Sequence, residues 1–363
     1  MSEMTAKERL LNAITGREID RIPWSPFLAY WWEAQPEAVA AQGQLAYMES
    51  VGADPLLRGF APQGTLRFNG VDIRYAGSAG TRHDTWETPV GTLHFTHRLS
   101  PQGNTWFLVE HPVKTVEDLK ILQWIHEHAD AVINPDAETG WRETGDRGLY
   151  VPLIGGNLKT CFQSMVEHWV GTEMLVYLLA DEPEAVEDCL AAMRYASDKT
   201  AKFCADSPME AFLFWEDSST TNINPAMFQK YTAPEIRFWA DTLHASGKLL
   251  LHHACGHLKA LLPLMAETGV DAIESISPPP TGNIDIADAY RLLPQHIALI
   301  GGLEPIFMQD CSAEELDARV EHLLTVGKDR RFVLANSDSC PPAVQEWKFR
   351  QVSDRVRRSQ LIV

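Results

Sequence analysis

The sequence predicts a (β/α)8 TIM barrel with an inserted antiparallel β-hairpin region near its N-terminus. From Leu149 onward, short apolar runs alternate with helical patterns. The runs cover 149–154, 211–215, 248–253, 271–276, 297–301 and 331–335. They are continuous rather than alternating, as in strands buried on both faces of a parallel sheet. Stretches near Ile22–Phe27 and Asp54–Gly59 raise the strand count to eight, the number that closes a barrel. No glycine-rich nucleotide loop follows the first strand, which disfavours the alternative of an open doubly wound sheet.

The elements follow in order. Thr5-Ala6-Lys7-Glu8 reads as a capping box, Leu10, Leu11 and Ile14 form an apolar stripe, and Gly16 is a stop. Residues 60–110 break the barrel pattern. There Leu66–Tyr75, Thr85–Arg98 and Trp106–His111 alternate apolar and polar side chains, with Asn69-Gly70 and Val90-Gly91 as turn signals. They read as antiparallel hairpins inserted after an early barrel strand. Helical patterns then cover 159–180 with a break at Gly171, 184–205, 225–246, 257–268, 285–293, 313–326 and about 342–360. No linker or repeat divides the chain, so residues 1–363 form one domain with 60–110 as its insert.

Composition narrows the function. With 31 basic and 49 acidic residues among 363, the net charge is −18, which repels nucleic acid. No apolar run reaches the roughly 18 residues of a membrane helix. Met1 to Arg9 is polar and charged, unlike a secretory signal. Six scattered cysteines are too few for a disulfide scaffold, so a reducing cytoplasm is expected, where clustered thiols signal metal or catalysis.

In a barrel of this kind, chemistry sits at the C-terminal ends of the strands. Those ends carry Glu216-Asp217, His252 to His257, Glu274, Glu304 and Asn336 to Cys340. Side chains two apart on an extended segment point the same way, so His253 and Cys255 can both face the mouth. Imidazole with thiolate is a strong zinc pair. The alternative is a capping histidine beside a small buried cysteine. Cys340 lies 85 residues beyond Cys255, at the end of the last strand. Glu274 and Glu304 reach the same rim. His252 should point away from His253, and Cys161, Cys189, Cys204 and Cys311 read as packing residues. Glu216, Asp217 and Asn336 are candidates for orienting substrate or moving a proton, with helix capping as the alternative. Among the aromatics that follow the first strand, Trp31 and Trp32 are candidates to wall a planar ligand, the alternative being core.

These residues carry a family resemblance. His253-Ala254-Cys255-Gly256-His257, Asp271-Ala272-Ile273-Glu274 and Ile300-Gly301-Gly302-Leu303 resemble the uroporphyrinogen decarboxylase superfamily. So do Lys7 to Ala13 with Asp20-Arg21-Ile22-Pro23, and Pro152 to Gly156 leading into a long helix with Asp181 to Glu184. The sequence looks most like the branch of zinc-dependent, corrinoid-linked methyltransferases. That resemblance implies a methyl group moved between a corrinoid (cobalamin) carrier and a small-molecule donor or acceptor, such as a thiol or a methoxyl or methylamine compound. It implies zinc held by His253, Cys255 and Cys340. Cobalamin-independent methionine synthase, a related barrel, adds a glutamate between its cysteines; Glu274 is the candidate here, with Glu304 or an exogenous thiol or water as rivals for the fourth position. No Asp-x-His-x-x-Gly corrinoid segment is found, so the corrinoid would arrive on a separate protein or free. Two other readings stand beside this one. A non-catalytic partner of a corrinoid protein would not need Cys340. A tetrapyrrole decarboxylase would need cations for its acidic substrate, and residues 23–33, where the decarboxylases carry arginine, have none.

Overall fold

Six apolar runs become the strands Leu149–Pro152, Ala211–Glu216, Leu249–Ala254, Ala272–Ile276, Ala298–Leu303 and Phe332–Asn336. The structure is a computed structural model that describes residues 4–100 and 105–359. The last five strands form one parallel sheet in chain order. Leu149–Pro152 pairs in parallel with Leu56–Gly59. Single parallel bridges join Leu153 to Leu213 and Trp24 to Leu334, and the Asp54 amide donates to the Trp24 carbonyl at 2.7 Å. The architecture is therefore TIM-barrel-like α/β. The closed barrel of eight regular strands is seen only in part, because the ladders stop at a five-stranded and a two-stranded sheet. Around Trp24, Pro23 and Pro26 lack the N–H groups a full ladder needs.

The opening helix Ala6–Thr15 has the expected Thr5–Glu8 capping box and ends at Gly16 in the left-handed region. Leu10 and Ile14 of this helix pack with Leu149, Val151, Leu213, Leu251, Ile300 and Val333 in one buried cluster. Those strand residues alternate along their strands and fill the barrel interior in layers. One step of two residues toward the C-terminal ends reaches Arg58, Trp215, His253 and Glu274. The row that forms the core thus continues upward into polar chemistry.

The insert is larger than the alternating pattern suggested. Asp72–Ser78, Thr81–Thr88, Gly91–Leu99 and Trp106–Glu110 form an antiparallel four-stranded sheet. Gly64–Phe68 instead pairs antiparallel with Ala129–Ile133. Leu66–Tyr75 is therefore two strands in different sheets, and Asn69-Gly70 turns the chain between sheets rather than within a hairpin. The helix Val116–Glu127 packs under this region, with Leu93, Phe95, Ile121 and Ile125 in the main core. Among the barrel helices, 257–268 shortens to Leu262–Ala266, and the last runs Glu346–Ser359, so residue 360 lies outside the described residues. Among the described residues, no helix is long and apolar enough to cross a membrane.

Candidate functional site

His253 is 1% exposed and sits on the inward row above Leu251. Its ring stacks on Trp215 with centroids 4.8 Å apart and meets Phe27 edge-on at 5.8 Å. Its Nδ1 lies 3.1 Å from Glu274 Oε2. Glu274 is also paired with Arg58, whose guanidinium lies 4.0 Å from the Phe27 ring centroid. Burial pulls the Arg58 pKa down to about 9. Burial, with Arg58 nearby, also holds the His253 pKa well below its ordinary value. A neutral imidazole whose Nδ1–H is donated to a carboxylate leaves Nε2 free for a metal.

Cys255 follows the strand end and points up the same side. Its Sγ donates to Asp217 Oδ1 at 2.9 Å. Gly256 then turns at φ 88°, where a side chain would meet Ser219 Oγ at 2.7 Å. Asp338 completes the cluster. One ligand atom from each of His253, Cys255 and Asp338 lies within 4.8 Å of the others. The three line a cavity of about 410 Å³ with Tyr30, Glu167, Trp215 and Asp217.

Glu167 sits on a π-helical turn, Met165–Trp169, a feature common at functional sites. Its carboxylate accepts from Lys159 Nζ, Gln163 Nε2 and the Asp217 amide. Burial pushes the carboxyls of Glu167 and Asp338 upward. The Cys255 thiol is pushed up by burial, Asp338 and Asp217. Imidazole, thiol and carboxylate in one spot make a zinc-type donor set. The concentration of anionic groups fits a divalent cation, which would offset their mutual repulsion.

Several expected residues stand elsewhere. Cys340 is fully buried in the core, its backbone amide donating to the Phe27 carbonyl at 3.0 Å. Its thiol is pushed up by burial alone, and it is absent from the metal-type group. Glu274 backs His253 instead of joining that group, because Arg58 and the His253 ring already engage it. Glu216 is 0% exposed and lies behind the strand, not at the cavity. It accepts from Ser218 Oγ at 2.6 Å and from the Thr160 amide at 2.7 Å, and stands 3.0 Å from His252 Nε2. Burial alone would raise this carboxyl, but His252, Ser218 and Thr160 hold it at about 2. His252 does point away from His253, as expected. Asn336 clamps the first strand to the last, accepting from the Phe27 amide at 2.7 Å and donating to its carbonyl at 2.9 Å. Trp31 is core, with Nε1 bonded to the Val344 carbonyl at 2.7 Å, whereas Trp32 lines a neighbouring cavity. Asp217 alone of the three expected polar residues reaches the cavity.

Asp338, Trp215, Arg58 and Glu167 were missed. For Trp215 and Arg58 a signal existed, since each continues the inward alternation of its strand. Asp338 lies two residues past a strand end, where alternation no longer dictates direction. Glu167 is placed by a π-turn that helical periodicity does not reveal.

Comparison with known proteins agrees with this architecture. Residues 108–359 match the sequence profile of the family described as Uroporphyrinogen decarboxylase (URO-D). The chain belongs to that family. No curated protein matches it. Among solved structures, a methyltransferase from Methanosarcina mazei superposes with a TM-score of 0.64 at 14% identity, covering 98% of this chain and 99% of that one. A B12-independent methionine synthase from Shewanella sp. W3-18-1 superposes with a TM-score of 0.50 at 12% identity, covering 94% and 100%. At such identities the likeness is one of fold.

Proposed function

We propose that this member of the URO-D family is a zinc-dependent methyltransferase. It would exchange a methyl group between a corrinoid carrier, supplied on a separate protein or free, and a small substrate. The observation that carries the reading is the convergence of His253, Cys255 and Asp338 on one cavity at the mouth of the barrel. The methyltransferase fold likeness supports it. We take the eight β segments as one functional barrel that holds this mouth rigid.

Zinc bound there would supply a Lewis acid with an open position for a thiol or a methylated heteroatom. His253 Nε2, Cys255 Sγ and a carboxylate oxygen of Asp338 would hold it. Glu274 fixes the His253 tautomer and ring plane, and Arg58 fixes Glu274. Asp217 Oδ1 already accepts the Cys255 thiol hydrogen, so it is the acceptor in reach when that thiol ionises. Trp215 and Phe27 keep water from the inner face of the imidazole.

Local charge supports methyl transfer over tetrapyrrole decarboxylation. A polycarboxylate substrate would face Glu167, Asp217 and Asp338. The two nearby cations, Arg58 and Lys159, are paired with Glu274 and Glu167. Anions are thus opposed where the decarboxylase reaction needs them bound. The test is anaerobic incubation of zinc-loaded protein with methylcobalamin and a panel of thiols, and of cob(I)alamin with methylated substrates. Zinc-dependent methyl transfer in either direction is expected. Conversion of uroporphyrinogen without it would replace this reading.

A further inference from the structure

We propose that a second compartment beside the metal group receives a single aromatic ring, so that the small substrate is a one-ring aromatic compound methylated on a heteroatom. The ring-binding part stands by itself, and the methylated heteroatom rests on the methyl-transfer reading above.

The compartment has a volume of about 370 Å³ and is walled by Phe27, Leu28, Tyr30, Trp32, Phe60 and Trp215. An apolar cavity of roughly 150 Å³ suffices for benzene. This one therefore has room for one ring with substituents. Tyr30, Trp215 and Ser339 line both this compartment and the metal cavity, so the two share a wall. A ring seated in one can present a substituent to the other.

The walls suit a π system. Trp215 meets Phe27 edge-on at 5.2 Å and lies tilted to Phe60 with centroids 5.4 Å apart. Edge-on and tilted rings at such distances leave faces and edges for a further ring. Arg58 also borders the space, but its charge is answered by Glu274 and its plane lies against Phe27. The compartment therefore offers no free cation for an acidic ligand. Phe60 is 66% exposed just beyond the strand Leu56–Gly59, a large apolar side chain held at the rim with one face open. Ala29, immediately before Tyr30, sits at φ 30°, in the region that disfavours side chains. Strain of this kind persists where surrounding structure enforces it and clusters at ligand sites. Here it occurs at the residue that sets the wall shared by the two spaces.

The experiment titrates zinc-loaded protein with methoxybenzene and follows tryptophan fluorescence, with cyclohexyl methyl ether as a saturated control of similar size. Saturable binding of methoxybenzene, tighter than the control, is expected. Phe60→Ala, which removes an exposed wall and little core, should weaken it about three- to tenfold. Cys255→Ser should retain ring binding while losing zinc. Absence of saturation, equal binding of the saturated ether, or a Phe60→Ala protein indistinguishable from the parent each overturns the proposal. Binding as described, with no zinc-dependent methyl transfer from any substrate, overturns the methyl-transfer reading and leaves the ring compartment standing.

Discussion

His253 Nδ1 and Glu274 Oε2 stand 3.1 Å apart, and this contact sets which imidazole nitrogen faces the cavity. In the proposed zinc site, Glu274 is thus the partner that orients His253 rather than a ligand itself. Loss of such a partner typically costs 10- to 100-fold in metal affinity. Glu274→Gln should therefore weaken zinc binding by about that factor, measured by competition with a chromogenic chelator. Unchanged affinity would remove Glu274 from this role.

The ligand set makes a sharper prediction. Cys255→Ser and Asp338→Asn should both lose most of their zinc on metal analysis, with circular dichroism unchanged. Cys340→Ser should keep it, because that thiol is buried in the core beside the Phe27 backbone. Retention by Asp338→Asn together with loss by Cys340→Ser would restore the ligand set expected from the family resemblance and require residues 337–340 to turn over on binding metal.

Trp31 and Trp32 separate by environment although they are adjacent. Trp31 packs edge-on against Phe349 at 5.2 Å and bonds Val344, so Trp31→Ala should cost about 3–5 kcal/mol of stability. Trp32 is only partly buried and borders the aromatic compartment, so its truncation should cost less stability and more ligand affinity. Melting temperature and ligand titration on both variants decide the point.

The barrel strands were legible because buried parallel strands leave continuous apolar runs, and the N-terminal cap because Thr5 and Glu8 carry their own local chemistry. His253 and Cys255 followed from the two-residue repeat of a strand. Cys340 was expected at the cavity from its place at the strand end and the family resemblance, whereas the repeat no longer sets direction past Asn336, so nothing pointed to Asp338. Ala129–Ile133 was missed for a different reason. Its partner strand, Gly64–Phe68, lies far earlier in the chain, with Phe68 opposite Ala129 and Gly64 opposite Ile133, and only the fold brings them together.

Glu235 supplies a pH signature outside the cavity. Fully buried, it accepts from the Cys161 amide at 2.8 Å and from its Sγ at 3.3 Å. Burial pushes this carboxyl from its ordinary 4.5 up to about 8. The folded state therefore holds a proton that the unfolded chain releases. The group's contribution is complete below about pH 4.5 and is lost as pH rises through about 8, at roughly 1.4 kcal/mol per pH unit in between. Glu235→Gln should flatten this part of the stability profile, read from urea midpoints at pH 5 and pH 8. A parallel profile in the variant would contradict the assignment.

Whether His253, Cys255 and Asp338 hold zinc is decided by anomalous diffraction at the zinc edge, on crystals grown from zinc-loaded protein. One strong peak is expected at the barrel mouth, about 2.0–2.1 Å from His253 Nε2 and about 2.3 Å from Cys255 Sγ. A zinc-saturated crystal with no peak there, or with its peak away from His253 and Cys255, would contradict the zinc site.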